Sequence, residues 1–360
     1  MKKILFITNV QVPYRMEFFR GIAKRNDLTV FFEAQTGKFQ YNYDTDSSGF
    51  QSYFLKSKEE KKEWKTLFSL LNSRFDYIIV GGIASKLSML AILYMKIKRI
   101  PYMISVDGAI LRKDTIWKKI LKTYLISSAS GYLSSAQNAD RYFMKYGADE
   151  NKIYRYPFTS LSKDDILQRP LTDSEQQKLK RKLGFSEDEI LILSVGRFIY
   201  RKGFDILLKA FSGLEDKSTL VIIGGKPTDE YNMIMMEEHL KNVKFLDFLT
   251  KEELVDYYCA ADIFVLPTRE EVWGLVINEA MAYGCPVITT DNCVAGMELV
   301  KCDVNGFLIP VDDFKELHCR LCELIQDKEK RKCMSENSLN IIKKYTIENM
   351  IESHIRIFDK

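Results

Sequence analysis

Two short stretches of the chain combine cations, carboxylates and glycine at spacings suited to a phosphorylated, hydroxyl-rich ligand. The first is Gly196-Arg197-Phe198-Ile199-Tyr200-Arg201-Lys202-Gly203, directly after the apolar run ILILSV. Gly196 permits a sharp turn, Arg197 offers a planar fork of donors for phosphate oxygens, and Lys202 adds a point charge. Gly203 opens a helix, and a helix N-terminus favours anions. The second stretch is EVWGLVINEAMAYGCPVI over 271–288. Glu271 and Glu279 stand eight residues apart there, with Gly274 between them and a helix starting near Leu275. Gly274 lets a ligand approach the backbone, and the amides of Leu275 and Val276 point at an anion. Carboxylates accept paired hydrogen bonds from vicinal hydroxyls, so one acid on each side of a phosphate suits a polyhydroxylated group on either side. On spacing alone, a surface Glu pair on a loop and a helix fits as well. A P-loop spacing is missing and GxGxxG occurs nowhere, which excludes the ATPase and dinucleotide fingerprints.

The scaffold that must position these residues reads as alternating strands and helices. Apolar strands are expected at 3–8, 28–32, 77–80, 102–105 and 131–134, with helical stretches at 14–24 and near 60–72, 84–98 and 114–127. A polar segment, 147–169, with Pro157 inside it and Pro170 directly after it, reads as a linker. The alternation restarts with strands at 190–195, 220–223, 243–246, 263–266 and 287–289, separated by helices at 205–214, 229–240, 251–260 and 275–283. Continuously apolar strands alternating with helices argue for parallel sheets covered on both faces. The expected fold class is α/β, two doubly wound Rossmann-like domains facing across a cleft. Residues 1–165 form the first and 166–344 the second. In such sheets ligands bind beyond the carboxyl ends of the strands, where both motifs lie.

Composition sets the outer bounds. A chain of 360 residues suits two domains of about 150. With 46% apolar and 28% charged residues it is neither disordered, collagen-like nor a disulfide scaffold. It has no run of about 18 uncharged apolar residues. The opening MKKILFITNV reads as a first strand rather than a secretory leader, so a cytoplasmic protein is expected. Seven cysteines, an odd number, read as buried thiols of a reducing compartment. The three histidines, on expected helices, have no second ligand beside them, and no metal site is expected. Residues 1–165 hold 27 Lys and Arg against 16 Asp and Glu, whereas the remainder holds 26 against 33. A basic first half points to an anionic partner, a nucleic acid or an acidic membrane surface, or simply to a solvated lysine-rich face.

The motifs together resemble the family-4 retaining glycosyltransferases of GT-B fold, including those of bacterial capsular and exopolysaccharide synthesis. The resemblance spans the chain and is strongest over 190–310: GRFIYRKG, Gly224-Gly225, VKFLDFL at 243–249, EVWGLVINEAMAYGCPVI and VNGFLIP at 304–310. It implies a nucleotide-diphosphate sugar as donor, taken here as a UDP-sugar, bound by the second domain. Arg197 and Lys202 would grip the diphosphate, Glu271 would contact the donor sugar and Glu279 the ribose. The base would lie near Phe248 and Leu249, with Gly196 and Gly224 lining the site. The acceptor would be a saccharide or lipid-diphosphate-linked saccharide, transfer would proceed with retention, and the closing helix at 345–360 would cross back to the first domain. No cofactor and no metal are implied, and the chain has no DxD motif; Asp312-Asp313 is a poor substitute.

Two departures concern the first domain. Many family members carry a His after the strand at 102–105, where this chain has Asp107-Gly108. Asp107 either takes that place as a hydrogen-bond acceptor or caps the turn. The first loop lacks the family's Gly-Gly and reads Asn9-Val10-Gln11-Val12-Pro13-Tyr14-Arg15, which makes Pro13, Tyr14 and Arg15 acceptor-side candidates. In 111–124, Ile116, Ile120 and Leu121 fall near one helix face beside Trp117, with Lys118, Lys119 and Lys122 largely elsewhere. That suits either an interfacial helix at the inner face of the plasma membrane or an ordinary core-packing helix. A glycosidase carboxylate pair, about 5 Å apart, fits poorly because Glu279 falls on the nucleotide side. The competing readings are a GT-B epimerase, a non-catalytic nucleotide-sugar-binding subunit and a nucleic-acid binder. The last lacks a recognition helix or stacking platform.

Overall fold

The computed structural model describes residues 1–34, 48–55, 60–214, 216 and 218–360. They divide into two compact units, Met1–Ser160 with Thr346–Lys360, and Leu161–Tyr345. The first unit contains strands β1 (Lys3–Val10), β2 (Asp27–Ala34), β3 (Gln51–Phe54), β4 (Tyr77–Gly81), β5 (Met103–Val106), β6 (Gly131–Ser134) and β7 (Ile153–Arg155). Helices α1 (Pro13–Ala23), α2 (Glu60–Leu71), α3 (Lys86–Lys98), α4 (Ile116–Ile126) and α5 (Gln137–Lys145) alternate with them. The sheet is parallel, in the order β3-β2-β1-β4-β5-β6-β7. Ile4, Leu5, Ile7, Ile79 and Val80 have no solvent contact, as expected of strands covered on both faces.

The second unit repeats the plan with β8 (Ile190–Val195), β9 (Ser218–Ile223), β10 (Val243–Leu246), β11 (Ile263–Leu266), β12 (Val287–Thr290) and β13 (Gly306–Ile309). Its helices are α6 (Asp173–Lys182), α7 (Phe204–Phe211), α8 (Asp229–Glu237), α9 (Lys251–Ala260), α10 (Leu275–Ala282), α11 (Val294–Leu299), α12 (Phe314–Gln326) and α13 (Lys328–Ile342). The parallel strands lie in the order β10-β9-β8-β11-β12-β13. Strand order therefore reverses between β8 and β11, and in doubly wound sheets that is where loops part and a ligand enters. Ile192, Ile222 and Val265 from the strands pack with Phe204, Leu207 and Leu321 from the helices to hold those strand ends in place. The last helix, α14 (Ile347–Phe358), belongs to the first unit and packs along α1. Its His354 ring lies 4.7 Å from both Phe18 and Tyr156, and Phe358 meets Phe6 and Tyr77.

Several sequence expectations are corrected. The first unit ends at Ser160 rather than 165. The following residues are tied into the second unit: Leu161 is buried, Lys251 holds Asp165 at 2.6 Å and Leu167 donates its N–H to the Ala282 carbonyl. The expected linker contains β7, which extends the first sheet because Tyr132, Leu133 and Ser134 pair with Ile153, Tyr154 and Arg155. Helix α8 ends at Glu237 rather than 240. His239 adopts a left-handed φ of 54°, its N–H bonds to the Met236 carbonyl and the N–H of Leu240 to that of Met235. This is a Schellman stop with His where glycine is usual. The thiols are not uniformly buried: Cys285 and Cys293 are, but Cys302, Cys319 and Cys333 are exposed. Leu317, Leu321 and Leu324 supply the inner face of α12 and turn Cys319 outward. His318 does have a neighbour, Cys322 Sγ at 3.4 Å from its Nε2, while its Nδ1 bonds to the Ala210 carbonyl.

Candidate active site

The loops leaving β8 and β11 are stitched together at the switch point. After Gly196 and Arg197 the chain makes a tight turn over Tyr200–Lys202 that ends at Gly203, φ 69°. A Cβ on Gly203 would stand 2.0 Å from the Pro267 carbonyl oxygen, so only glycine allows the two loops to close this far. Thr268 Oγ1 and the Arg269 N–H both donate to the Arg201 carbonyl at 2.8 Å. The Arg269 guanidinium grips Asp205 through two bonds of 2.9 and 2.6 Å, and its Nε lies 2.7 Å from Asp312. A charged fork of this kind is rigid and geometrically specific. Asp312 thus serves the loop, and Asp313 caps α12 by accepting from the Glu316 N–H.

The seam brings Lys202 and Glu271 together. Lys202 Nζ lies 2.6 Å from Glu271 Oε2, and Arg201 Nη1 lies 3.3 Å from Oε1. The Lys202 and Glu271 side chains are only 11% and 12% exposed, so water screens the pair poorly. Gly274 caps α10 with φ 102°, and a Cβ there would press on Glu271 Cγ at 3.2 Å. Glu271 therefore lies across the N-terminus of α10, where the amides of the first turn, Leu275 and Val276 among them, have no acceptor within the helix. Trp273 Nε1 donates to Asn278 Oδ1 at 2.8 Å, fixing the mouth of the helix from inside. One turn in, the buried Tyr258 hydroxyl donates to Glu279 Oε2 at 2.9 Å. Burial and then the Glu279 charge push the Tyr258 pKa well up, so it remains a donor that orients the carboxylate.

The remaining second-unit candidates border this seam. Gly224 backs directly onto Gly196, whose N–H bonds to the Ile223 carbonyl at 2.8 Å. The Phe248 ring covers Gly225 and is 49% exposed, and Leu249 is half-buried beside it in sequence. Arg197 is exposed. Sequence reasoning missed Arg201, Arg269, Tyr258 and the Trp273–Asn278 pair as parts of the site. Arg201 sits inside the first motif and Arg269 two residues before the second, and both were legible as additional cations; nothing local marks Tyr258.

In the first unit the structure joins two candidates read separately. Arg15, in the first turn of α1 after Pro13, donates to Thr8 Oγ1 at the end of β1 and to Asp107 Oδ2 just past β5. Its Nε also reaches the Tyr14 hydroxyl at 3.3 Å. The Tyr156 hydroxyl lies 3.0 Å from Asp107 Oδ1 and 3.1 Å from the Val106 carbonyl. Asp107 is thus a partner of Arg15 and Tyr156. Burial, the largest influence, would lower the Arg15 pKa, but Asp107, Tyr14 and Tyr156 together outweigh it and raise it, so the guanidinium stays charged. Among the described residues no group of three or more His, Cys, Asp or Glu side chains is arranged to hold a metal ion.

Residues 175–340, which include every residue of the Lys202–Glu271 seam, match the family model of glycosyl transferases group 1. A 41.2 kDa protein of the cps region of Klebsiella pneumoniae is 30% identical over 220 residues, 59% of this chain and 56% of that one. A glycosyltransferase of Haemophilus influenzae is 35% identical over 178 residues, 48% and 50% of the two chains. The alignments thus span about half the length of these curated relatives. The crystal structure of Anabaena Alr3699/HepE in complex with UDP superposes with a TM-score of 0.81 over 99% of both chains, at 18% identity. At that identity the likeness is one of fold, and the fold is GT-B.

Proposed function

We propose that the chain is a glycosyltransferase that moves a sugar from a UDP-sugar to a saccharide or lipid-linked saccharide acceptor, with retention and without a metal, in surface-polysaccharide synthesis. The observation that carries this reading is the Lys202–Glu271 contact laid across the N-terminus of α10, inside the segment that matches the group 1 model. The cps-region relative and the UDP complex of the structural neighbour support the pathway and the base. The leaving diphosphate gains negative charge as the glycosidic bond breaks. A helix N-terminus contributes about 0.3–2 kcal/mol to holding it. Charge-assisted bonds from Lys202 and Arg197 supply the larger share. Glu271, oriented by Lys202 and Arg201, accepts hydrogen bonds from hydroxyls of the donor sugar, and Glu279, oriented by Tyr258, from the ribose. In a front-face displacement the acceptor oxygen bonds to the anomeric carbon on the side the diphosphate leaves. The acceptor's proton passes to the departing phosphate oxygen. Asp107, Arg15 and the Pro13–Tyr14 turn carry the acceptor side.

A thermal-shift screen with UDP, GDP, ADP and their sugars tests the reading, since a ligand of the native state raises stability by mass action. UDP and a UDP-sugar raise the melting temperature more than GDP or ADP. Indifference to all of them contradicts the proposal.

A further inference from the structure

Helix α4 presents an apolar face to solvent. Ile116, Trp117, Ile120, Leu121 and Tyr124 are 76%, 81%, 54%, 44% and 52% exposed. At about 100° per residue they fall within about 140° of the helix circumference. The exposed Lys118 and Lys119 stand about 60° beyond either edge of that arc, and Arg112 and Lys113 are exposed just before the helix. The opposite side buries Leu125 and Ile126. Lys122 is not part of the basic rim: its Nζ lies 2.9 Å from Asp114, which also accepts from the Tyr146 hydroxyl, so this pair moors the helix. Alongside, Lys96 of α3 reaches over the Tyr124 ring at 3.3 Å, and Ile97, Lys98 and Arg99 are exposed at the end of α3.

A contiguous exposed apolar face with aromatic members marks an interaction surface. We infer that this face docks on an anionic lipid bilayer, α4 lying in the headgroup plane. Cations flank the apolar arc on both sides, and residues 1–165 carry a large excess of Lys and Arg, so the complementary surface is apolar with negative charge around it. Trp and Tyr suit a boundary that is apolar on one side and wet on the other. At about 16 Å the helix is too short to cross a bilayer.

The test uses the full-length protein with vesicles of phosphatidylcholine, with and without phosphatidylglycerol. The protein sediments with the anionic vesicles at low salt, and Trp117 fluorescence shifts to the blue. Replacing Trp117→Ser together with Ile120→Ser weakens binding by about tenfold or more. Lys118→Glu with Lys119→Glu removes the preference for anionic lipid. All four side chains are exposed, and an unchanged melting temperature verifies the folding of each variant. Failure to bind anionic vesicles at low salt overturns the inference. A dimer in solution that dissociates on the same substitutions does so too, making a second copy the occupant.

Discussion

Both units bring a cation and a carboxylate together beyond the carboxyl ends of a parallel sheet, but the two pairs have different surroundings. Glu271 is held by two cations, Lys202 and Arg201, at the positive end of α10, so a diphosphate entering there meets an excess of positive charge. Arg15 and Asp107 cancel, and their further partners, Tyr14, Thr8 and Tyr156, are uncharged. The second arrangement suits a hydroxyl-bearing ligand better than an anion. One scaffold thus yields two different charge balances at the ends of its strands.

The largest effect expected from this contrast follows loss of a second-unit cation. Lys202→Ala and Arg197→Ala each lower turnover by roughly 100- to 1,000-fold, the scale of a lost charged donor at a developing anion. Assays of sugar transfer or donor hydrolysis measure this, and near-normal rates in both variants break the comparison. A second effect belongs to the first unit alone. Burial pushes the His354 pKa down to about 4, outweighing its bond to the Met350 carbonyl. Between pH 6.5 and about 4 the unfolded chain therefore takes up a proton that the folded unit does not. Stability falls by about 3 kcal/mol as pH drops through that window. Urea unfolding at pH 7 and pH 5 detects the slope, which His354→Leu removes; the same slope in that variant assigns it to other groups. The smallest effect is that of Asp107→Asn. It leaves the half-buried Arg15 charge without its counterion and lowers stability by about 1–3 kcal/mol, while the UDP-induced thermal shift stays unchanged. A lost UDP shift in this variant removes the division of roles between the units.

What the sequence disclosed follows the same division. Strands β8, β10 and β11 were legible to the residue: β8 and β11 are short apolar runs buried almost throughout, and β10 sets Val243, Phe245 and Leu246, partly buried, around an exposed Lys244. Lys202 and Glu271 lie 69 positions apart, yet both are embedded in motifs whose glycines reveal close approach. Arg15 and Asp107, 92 positions apart, carry no such local mark, and their union depends on how β1 and β5 are ordered in the sheet. Strand β7 was hidden because its three residues are only partly buried or exposed and lie close to Pro157. The stop at His239 was hidden because a left-handed residue is read from sequence mainly when it is glycine or asparagine. Local chemistry was readable where a motif reports its own geometry. Pairings made by tertiary closure were not.

The central claim, a nucleotide diphosphate seated on the second unit, is tested most directly by a crystal structure with a UDP-sugar bound. The account predicts the diphosphate at the N-terminus of α10, within hydrogen-bonding distance of Lys202 and the Leu275 and Val276 amides, with the ribose on Glu279 and the sugar on Glu271. A donor bound elsewhere, with these four residues untouched and Glu271 uninvolved, contradicts it.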